Sequence, residues 1–119
     1  MQKLLELEKM LFDYSYISDR AWLENTIHDD FAECGRSGML FNKHDVIQSL
    51  LECKESRKIE IYNFACRRID EKSWLVNYIT MTDDGQKYFR TSVWVEHKKM
   101  QLFFHQATVL NEDIDLIKY

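Results

Sequence analysis

The sequence contains no proline and only three glycines, at positions 35, 38 and 85. Because so few residues break regular structure, we expect each glycine to mark a point where the backbone turns. The chain also shows no linker, internal repeat or low-complexity stretch, and no apolar run approaches the roughly 20 residues of a membrane span. The 119 residues are therefore expected to form one domain, residues 1–119, with a core that needs neither disulfides nor a structural metal.

A surplus of positive charge is missing as well. Sixteen basic residues stand against twenty acidic ones, and the formal net charge of −4 argues against a nucleic-acid or anionic-membrane partner. The three cysteines are an odd number without CxxC spacing, and the N-terminus mixes charges with apolar residues, unlike a signal peptide. Free thiols in a cytoplasmic protein are the expected state. The sequence has no metal-binding spacing of His and Cys, so neither a metal nor a cofactor is expected.

Three segments carry apolar residues at helical spacing, which predicts three helices. They are expected over residues 2–14, about 19–27 and about 43–53. Glu8 is assigned to the solvent side of the first helix, and Ser18 is the expected N-cap of the second. Asn42 followed three residues later by Asp45 is typical of a capping box at the start of the third helix.

From about residue 57 onward the sequence alternates with a period of two and is rich in aromatic and β-branched residues. Strands are expected from about 59 to 69 and over 73–82, 86–96 and 100–109. Asp84-Gly85 is typical of a two-residue hairpin loop of type I′, and Lys98-Lys99 is a weaker turn signal. Helices followed by an antiparallel meander predict an α+β fold, in which three N-terminal helices pack on a sheet of about four to six strands.

The two turns together predict a pairing register for the last three strands. The expected pairs are Ile79 with Arg90, Ser92 with His105, and Trp94 with Phe103. The two sheet faces are then both apolar or aromatic, and the helices can cover only one of them. We therefore expect a second copy of the chain to cover the other face in a homodimer. The predicted dimer face consists of Trp74, Val76, Val93, Val95, Leu102 and Phe104.

The helix-covered face carries the predicted ligand-binding group, which consists of Arg90, Ser92, Trp94 and His105. A buried guanidinium needs an anionic partner, and a tryptophan wall suits a planar or apolar ligand. One interpretation is the polar end of a pocket for a small organic or anionic ligand. The other is an internal network in which Arg90 pairs with a carboxylate of the chain itself, either Glu33 or Asp30.

Two stretches resemble the nuclear transport factor 2-like superfamily. They are Asp29–Gly38 (DDFAECGRSG), and Arg90–Trp94 (RTSVW) followed by Phe104–Thr108 (FHQAT). With the order of helices and strands, they are most similar to the SnoaL-like branch of small bacterial domains. The resemblance implies a cone-shaped roll, in which a curved sheet wraps around the helices and leaves a cavity, and it implies a dimer. Members include isomerases, dehydratases, cyclases and non-catalytic binders, so the fold does not fix the function.

The resemblance also implies roles for single residues. In members similar to ketosteroid isomerase the general base comes from roughly the segment that holds Glu33. Glu33 and His105 are therefore the candidate catalytic residues, and Tyr14, at the end of the first helix, is the candidate phenol and a further ligand contact. Ser92 stands about where those members carry a second acid, which weakens the isomerase interpretation. A salt bridge from Glu33 to a neighbouring arginine is the structural alternative.

The sequence is compatible with three functions. The expected one is a small-molecule-binding domain with an internal pocket between helices and sheet. The alternative is an enzyme of the isomerase, dehydratase or cyclase type that moves protons on a small carbonyl compound. The third is a protein-interaction or dimerisation module whose own side chains fill the cavity. Two titratable groups within about 5 Å of each other in a cavity favour the enzyme, and a collapsed cavity favours the interaction module.

Overall fold

The computed structural model describes residues 2–119, which contain four helices and six strands. In chain order they are α1 Gln2–Met10, α2 Tyr14–Ile17, α3 Arg20–Thr26, β1 Ile27–Cys34, β2 Leu40–Asn42, α4 Lys43–Leu51, β3 Tyr62–Asp70, β4 Ser73–Met81, β5 Lys87–Glu96 and β6 Met100–Leu110. The first helix ends at Met10 rather than at the predicted residue 14. A short, unpredicted helix α2 follows, because Asp13 takes extended backbone angles and its side chain accepts from the backbone N of Ser15. None of the described helices is long and apolar enough to cross a membrane.

The helix caps explain where α3 and α4 begin. Asp19, rather than the predicted Ser18, caps α3, because its carboxylate accepts from the backbone N of Trp22 at 3.2 Å. The predicted capping box of α4 is confirmed. The backbone N of Asp45 donates to the Asn42 side chain at 2.9 Å, and the backbone N of Asn42 donates to the Asp45 carboxylate at 3.0 Å. This reciprocal pair fixes the start of α4 at the end of β2.

All six strands form one sheet in the order β2-β1-β6-β5-β4-β3. Strands β3 to β6 are the predicted antiparallel meander. Strand β1 pairs with β6 in parallel, so the sheet is mixed rather than wholly antiparallel. The sheet is curved and unclosed, and the helices pack on it in an α+β cone, as predicted.

The hairpin between β4 and β5 differs from the prediction by one residue. Tyr78, and not Ile79, lies opposite Arg90. The loop has three residues, 83–85, because Thr82 pairs with the residue after the loop through its backbone N. Gly85 closes the loop with φ +87°, the left-handed conformation that ends such three-residue loops. The type I′ prediction is therefore wrong, and the slip moves every side chain of β4 to the other face.

The hairpin between β5 and β6 follows the prediction only in part. Ser92 lies opposite His105, as predicted. The register then shifts after Val93, so that Trp94 lies opposite Leu102 rather than Phe103. This bulge leaves Phe103 38% exposed, while Trp94 is completely buried.

These shifts decide which side chains face the helices. The inner face of the sheet carries Val76, Tyr78, Thr80, Arg90, Ser92, Trp94, Leu102 and His105, all of them buried. The predicted dimer face needs correction, because Trp74, Val76 and Leu102 pack with the core on this inner side. The apolar residues of the opposite side, here called the outer sheet face, include Leu75, Ile79, Phe89, Val93, Val95 and Phe104.

Candidate functional site

A cavity of about 90 Å³ lies between the helices and the inner face of the sheet. Its apolar wall includes Phe12, Ile27, Phe41, Leu50 and Leu102. Its polar groups are the charged side chains of Glu8, Glu33, Arg57 and Arg90, together with Tyr78 and His105. The cavity therefore combines an apolar wall with a polar end, which is the usual composition of a ligand pocket.

The structure brings some of the predicted site residues together and leaves others outside. Arg90 and His105 line the cavity, and so does Glu33, which pairs with His105 across β1 and β6. Ser92 and Trp94 are completely buried behind the cavity wall rather than in it.

Tyr14 is not part of this cavity. It begins α2, is 42% exposed, and its backbone N donates to Ser56 Oγ at 2.8 Å. The phenol at the site belongs to Tyr78, which the predicted register had placed on the opposite sheet face. Its hydroxyl group is buried beside Glu8.

Arg90 is held by neutral partners. Its Nε donates to Thr80 Oγ1 at 2.7 Å, and its Nη1 lies 3.4 Å from Nε2 of His105. The guanidinium also lies over the ring of Phe12, 5.6 Å from the centroid. These contacts fix the direction of the guanidinium without neutralising its charge.

Arg57 is a second guanidinium at the cavity. It lies in the connection between α4 and β3, and its Nη2 donates to the carbonyl oxygen of Leu11. Its guanidinium lies 4.5 Å from the centroid of the Phe12 ring. Its Nε is buried and has no hydrogen-bond partner within residues 2–119. Burial of a helix or strand residue can be predicted from the hydrophobic period, but Arg57 lies in a loop, which has no such period.

Arg57 and Arg90 thus place two positive charges against one aromatic ring. Within residues 2–119 neither forms an ion pair, so the predicted pairing of Arg90 with Glu33 or Asp30 is wrong. Burial, and next the positive charge of Arg90, lowers the pKa of Arg57. Two like charges in a medium of low dielectric repel each other, and an anion between them relieves that repulsion.

Glu8 is the acceptor at the centre of a buried hydrogen-bond network. The prediction put it in solvent, yet it is only 1% exposed. The Tyr78 hydroxyl donates to Glu8 Oε1 at 2.6 Å, and Trp94 Nε1 donates to Glu8 Oε2 at 2.8 Å. The signal was present, because Glu8 follows Leu4 by four residues and precedes Leu11 by three, which places it on the apolar stripe.

Burial governs the ionisation of Glu8 and of its phenol partner. Burial raises the pKa of Glu8, while hydrogen bonds from Tyr78, Ser92 and Trp94 work in the opposite direction. Burial and the negative charge of Glu8 raise the pKa of Tyr78 well above its usual range. The phenol therefore keeps its proton and acts as a hydrogen-bond donor to the carboxylate.

His105 connects Arg90 to this network. Burial, followed by the charges of Arg90 and Arg57, lowers the pKa of His105 to about 3, so the ring is neutral near pH 7. A guanidinium only donates, so Nε2 of His105 accepts from Arg90 and the proton sits on Nδ1. Nδ1 lies 2.8 Å from Ser92 Oγ and donates to it, which leaves the Ser92 hydroxyl to donate to Glu8. Such a ring orients Arg90 and is a poor general acid or base near neutrality.

The neutral state of His105 predicts a specific pH dependence of stability. In the unfolded chain an ordinary histidine binds a proton below about pH 6.5, whereas folded His105 stays neutral down to about pH 3. Stability is therefore lost as the pH falls through this window, by up to about 1.4 kcal/mol per pH unit.

We expect His105→Gln to reduce the slope of unfolding free energy against pH between 4 and 6. Denaturant titrations at several pH values measure it, and exposed His97→Gln is the control with an unchanged slope. Equal slopes for His105→Gln and the parent would disprove the neutral ring.

Glu33 has the surroundings of a group that exchanges protons. Within residues 2–119 its side chain has no hydrogen-bond or ion-pair partner, although it lines the cavity. Burial raises the pKa of Glu33 against the opposing charges of Arg57 and Arg90. A Cβ atom at Gly35 would lie 3.2 Å from Glu33 Oε2, so the glycine leaves room for the carboxylate. A partly buried, unpartnered carboxyl group of raised pKa is typical of functional sites.

Metal-ligating side chains and thiols were also located in the part of the chain that the structure describes. It contains no cluster of three His, Cys, Asp or Glu side chains that could hold a metal ion. Cys34, Cys53 and Cys66 are free and half-buried, and none lines the cavity.

Comparison with solved structures identifies the fold. No protein-family model matches the chain, and no curated protein matches it. An NTF2-like protein from Cytophaga hutchinsonii has a TM-score of 0.74 at 19% identity, over 92% of this chain and 97% of that one. A protein of unknown function from Pectobacterium atrosepticum has a TM-score of 0.75 at 10% identity, over 92% of this chain and 87% of that one. The chain has the nuclear transport factor 2-like fold.

A CaMKII hub homology domain is also similar to this chain. The CaMKII hub homology domain of Chlamydomonas reinhardtii has a TM-score of 0.66 at 11% identity, over 91% of this chain and 96% of that one. Identities this low describe the fold alone. The narrower SnoaL-like expectation and the roles of the site residues therefore stay predictions.

Proposed function

We propose that this protein is a binding domain for a small organic acid, held by its carboxylate or a similar oxyanion in the cavity. One observation carries the proposal: the guanidinium groups of Arg57 and Arg90 lie 4.5 and 5.6 Å from the centroid of the same Phe12 ring, and neither has an ion-pair partner within residues 2–119. An oxyanion between them accepts a hydrogen bond from Arg57 Nε, the buried donor without a partner in the described chain. Charge-assisted hydrogen bonds of this kind are stronger than neutral ones.

The cavity also limits the size of the ligand. Its volume is about 90 Å³, whereas pockets for drug-sized ligands measure roughly 300–1,000 Å³. The carboxylate lies toward the arginines, and a short apolar chain packs on Ile27, Phe41 and Leu102. Short-chain carboxylates fit this description.

Calorimetric titration with butyrate and with its neutral analogue butyramide tests the proposal. We expect butyrate to bind and butyramide to bind at least about tenfold more weakly, because only the anion forms charge-assisted hydrogen bonds. Binding should tighten as the pH falls while butyrate stays ionised, because burial raises the pKa of Glu33 and a protonated Glu33 does not repel the anion. Equal affinity for both compounds, or no binding of butyrate, contradicts the proposal.

Glu33 favours one second candidate, an enzyme that moves a proton on a small carbonyl compound. In that role Arg57 and Arg90 hold the carboxylate of the substrate, and Glu33 removes the proton next to the carbonyl group. The raised pKa of Glu33 suits a general base. Exchange of the C3 protons of 2-oxobutyrate in deuterium oxide, followed by NMR, distinguishes the two functions. Exchange that the protein accelerates and that Glu33→Gln abolishes supports the enzyme, and binding without exchange supports the binding domain.

We further propose that the chain forms a homodimer through the outer sheet face. Three adjacent strands supply its apolar residues, and Phe89 is 41% exposed there. Sedimentation equilibrium at micromolar concentration should show twice the chain mass of 14.4 kDa. Val93→Glu, at the centre of this face, should give the monomer, whereas Ile69→Glu, an exposed apolar position on the edge strand β3, should leave the dimer intact. A monomeric parent chain contradicts the proposal.

A further inference from the structure

A second cavity, of about 320 Å³, adjoins the first one. Both cavities are lined by Arg57 and Arg90, so the two guanidinium groups stand at their junction. We call the second cavity the outer vestibule, and its remaining charged lining residues are Arg36, Lys58 and Asp83. The small organic acid proposed above occupies only the inner cavity and leaves the outer vestibule empty.

The outer vestibule is positively charged although the whole chain is acidic. Among the described residues its lining has four cationic side chains and one carboxylate, that of Asp83, in a chain of net charge −4. A second carboxylate, Asp84, lies close enough to Arg36 for the charges to interact, but it already accepts hydrogen bonds from Thr82 and from the backbone of Gln86. Clustered charge of one sign raises the local concentration of its counter-ion.

None of the four cations forms an ion pair within residues 2–119, although the Glu33 carboxyl acts on Arg57 and Arg90 from the inner cavity. Within residues 2–119 the ion pairs are formed by Lys3, Arg20, Lys43 and Lys118, and none of these lines the vestibule. Arg36 is placed in the turn after β1 and lies 5.7 Å from the centroid of the Tyr88 ring on β5. Lys58 directly follows Arg57 in the chain. Two further positive groups thus face the space that opens beyond the paired guanidinium groups.

We propose that the outer vestibule is a second anion subsite and that the ligand is a short dicarboxylate that spans both cavities. This inference rests on the proposed binding function. One carboxylate occupies the inner cavity between Arg57 and Arg90, and the second lies in the vestibule between Arg36 and Lys58. The carbon chain passes the junction of the two cavities, where the same two guanidinium groups contact it. A monocarboxylate leaves the vestibule cations unmatched, so the site selects the dianion.

Calorimetry with matched pairs of acids tests the proposal. Succinate, glutarate and adipate are compared with butyrate, valerate and hexanoate, which have the same numbers of carbon atoms. We expect at least one dicarboxylate to bind about tenfold or more tightly than its monocarboxylate partner. The double variant Arg36→Ala/Lys58→Ala should remove this advantage. The control Lys54→Ala/Lys98→Ala, which removes two exposed charges that do not line the vestibule, should retain it. Raising the salt concentration should reduce the advantage, since the vestibule is open to solvent screening.

The outcomes separate this proposal from the function on which it rests. If each monocarboxylate binds as tightly as the dicarboxylate of the same carbon number, the second subsite is disproved. The proposed inner site is unaffected by that result. A dicarboxylate advantage that persists in Arg36→Ala/Lys58→Ala, or disappears equally in the control variant, also overturns the second subsite. Failure of all six acids to bind overturns both proposals.

Discussion

Replacing Glu8 by alanine is expected to lower the free energy of unfolding by about 3–5 kcal/mol. The change removes the acceptor for the Tyr78 hydroxyl and for Trp94 Nε1, and both donors are completely buried on the inner face of the sheet. A buried donor without an acceptor costs about 1–3 kcal/mol, and the missing carboxyl also leaves a cavity under α1. Denaturant titration measures the loss.

Two variants separate the hydrogen bonds of Glu8 from its volume and its charge. Glu8→Gln keeps the shape and one acceptor oxygen, so it should cost less than alanine, about 1–2 kcal/mol. Glu6→Ala on the exposed side of the same helix should change stability by less than about 0.5 kcal/mol. If Glu8→Ala is no more harmful than Glu6→Ala, the buried network does not stabilise the fold.

The site was predictable wherever a single strand pair determined it. Ser92 and His105 face each other because the register of β5 and β6 runs without interruption up to Val93. Arg90 shares their face through strict alternation along β5, so its burial followed from the sequence. The predicted two-residue turn at Lys98-Lys99 is a three-residue loop, 97–99, because Glu96 pairs with Met100, and the bulge next to Val93 restores the predicted pairing of Ser92 with His105.

In strand β4 an error of one residue in the loop length was enough to assign every side chain to the wrong sheet face. Gly85 was correctly expected to lie in a turn, and its φ of +87° suits both a two-residue and a three-residue loop. The loop length is decided by the Thr82 backbone, which pairs across the turn, and by Asp84, whose carboxylate accepts hydrogen bonds inside it. A dipeptide pattern contains neither contact, and the resulting slip hid Tyr78 from the site.

The bulge in β6 could not be predicted from local sequence patterns, for a different reason. Trp94 shares the inner face with Arg90 and Ser92, and its indole donates to Glu8, which is 86 residues away in the chain. Phe103 takes up the extra residue and packs against His28 instead, with ring centroids 5.0 Å apart. Tertiary contacts of this range decide where a strand pair bulges, and pairing rules based on turns do not include them.

Arg90→Met is expected to weaken butyrate binding by about 10- to 100-fold while leaving the protein folded. A charge-assisted hydrogen bond contributes about 1.5–3 kcal/mol, and the ligand carboxylate loses such a bond to Arg90. Calorimetry measures the affinity and denaturant titration the stability of the same samples. Arg67→Met is the matched control, because Arg67 donates to Asn77 on the other side of the sheet and does not line the cavity.

The stability result distinguishes a ligand anchor from a member of the core. A buried arginine paired with a carboxylate would cost about 3–5 kcal/mol on removal, because its partner charge would remain uncompensated. Here the direct partners, Thr80 and His105, are neutral, and the positive charge of Arg57 opposes that of Arg90. Methionine loses two hydrogen bonds of about 1 kcal/mol each and the attraction of the Glu8 and Glu33 carboxyls. It also removes a buried charge that Arg57 repels and no ion pair neutralises, so the net change in unfolding free energy should stay within about 1 kcal/mol. Unfolding of Arg90→Met with Arg67→Met intact would make Arg90 a structural residue, and unchanged butyrate affinity in a folded Arg90→Met would exclude it from the binding site.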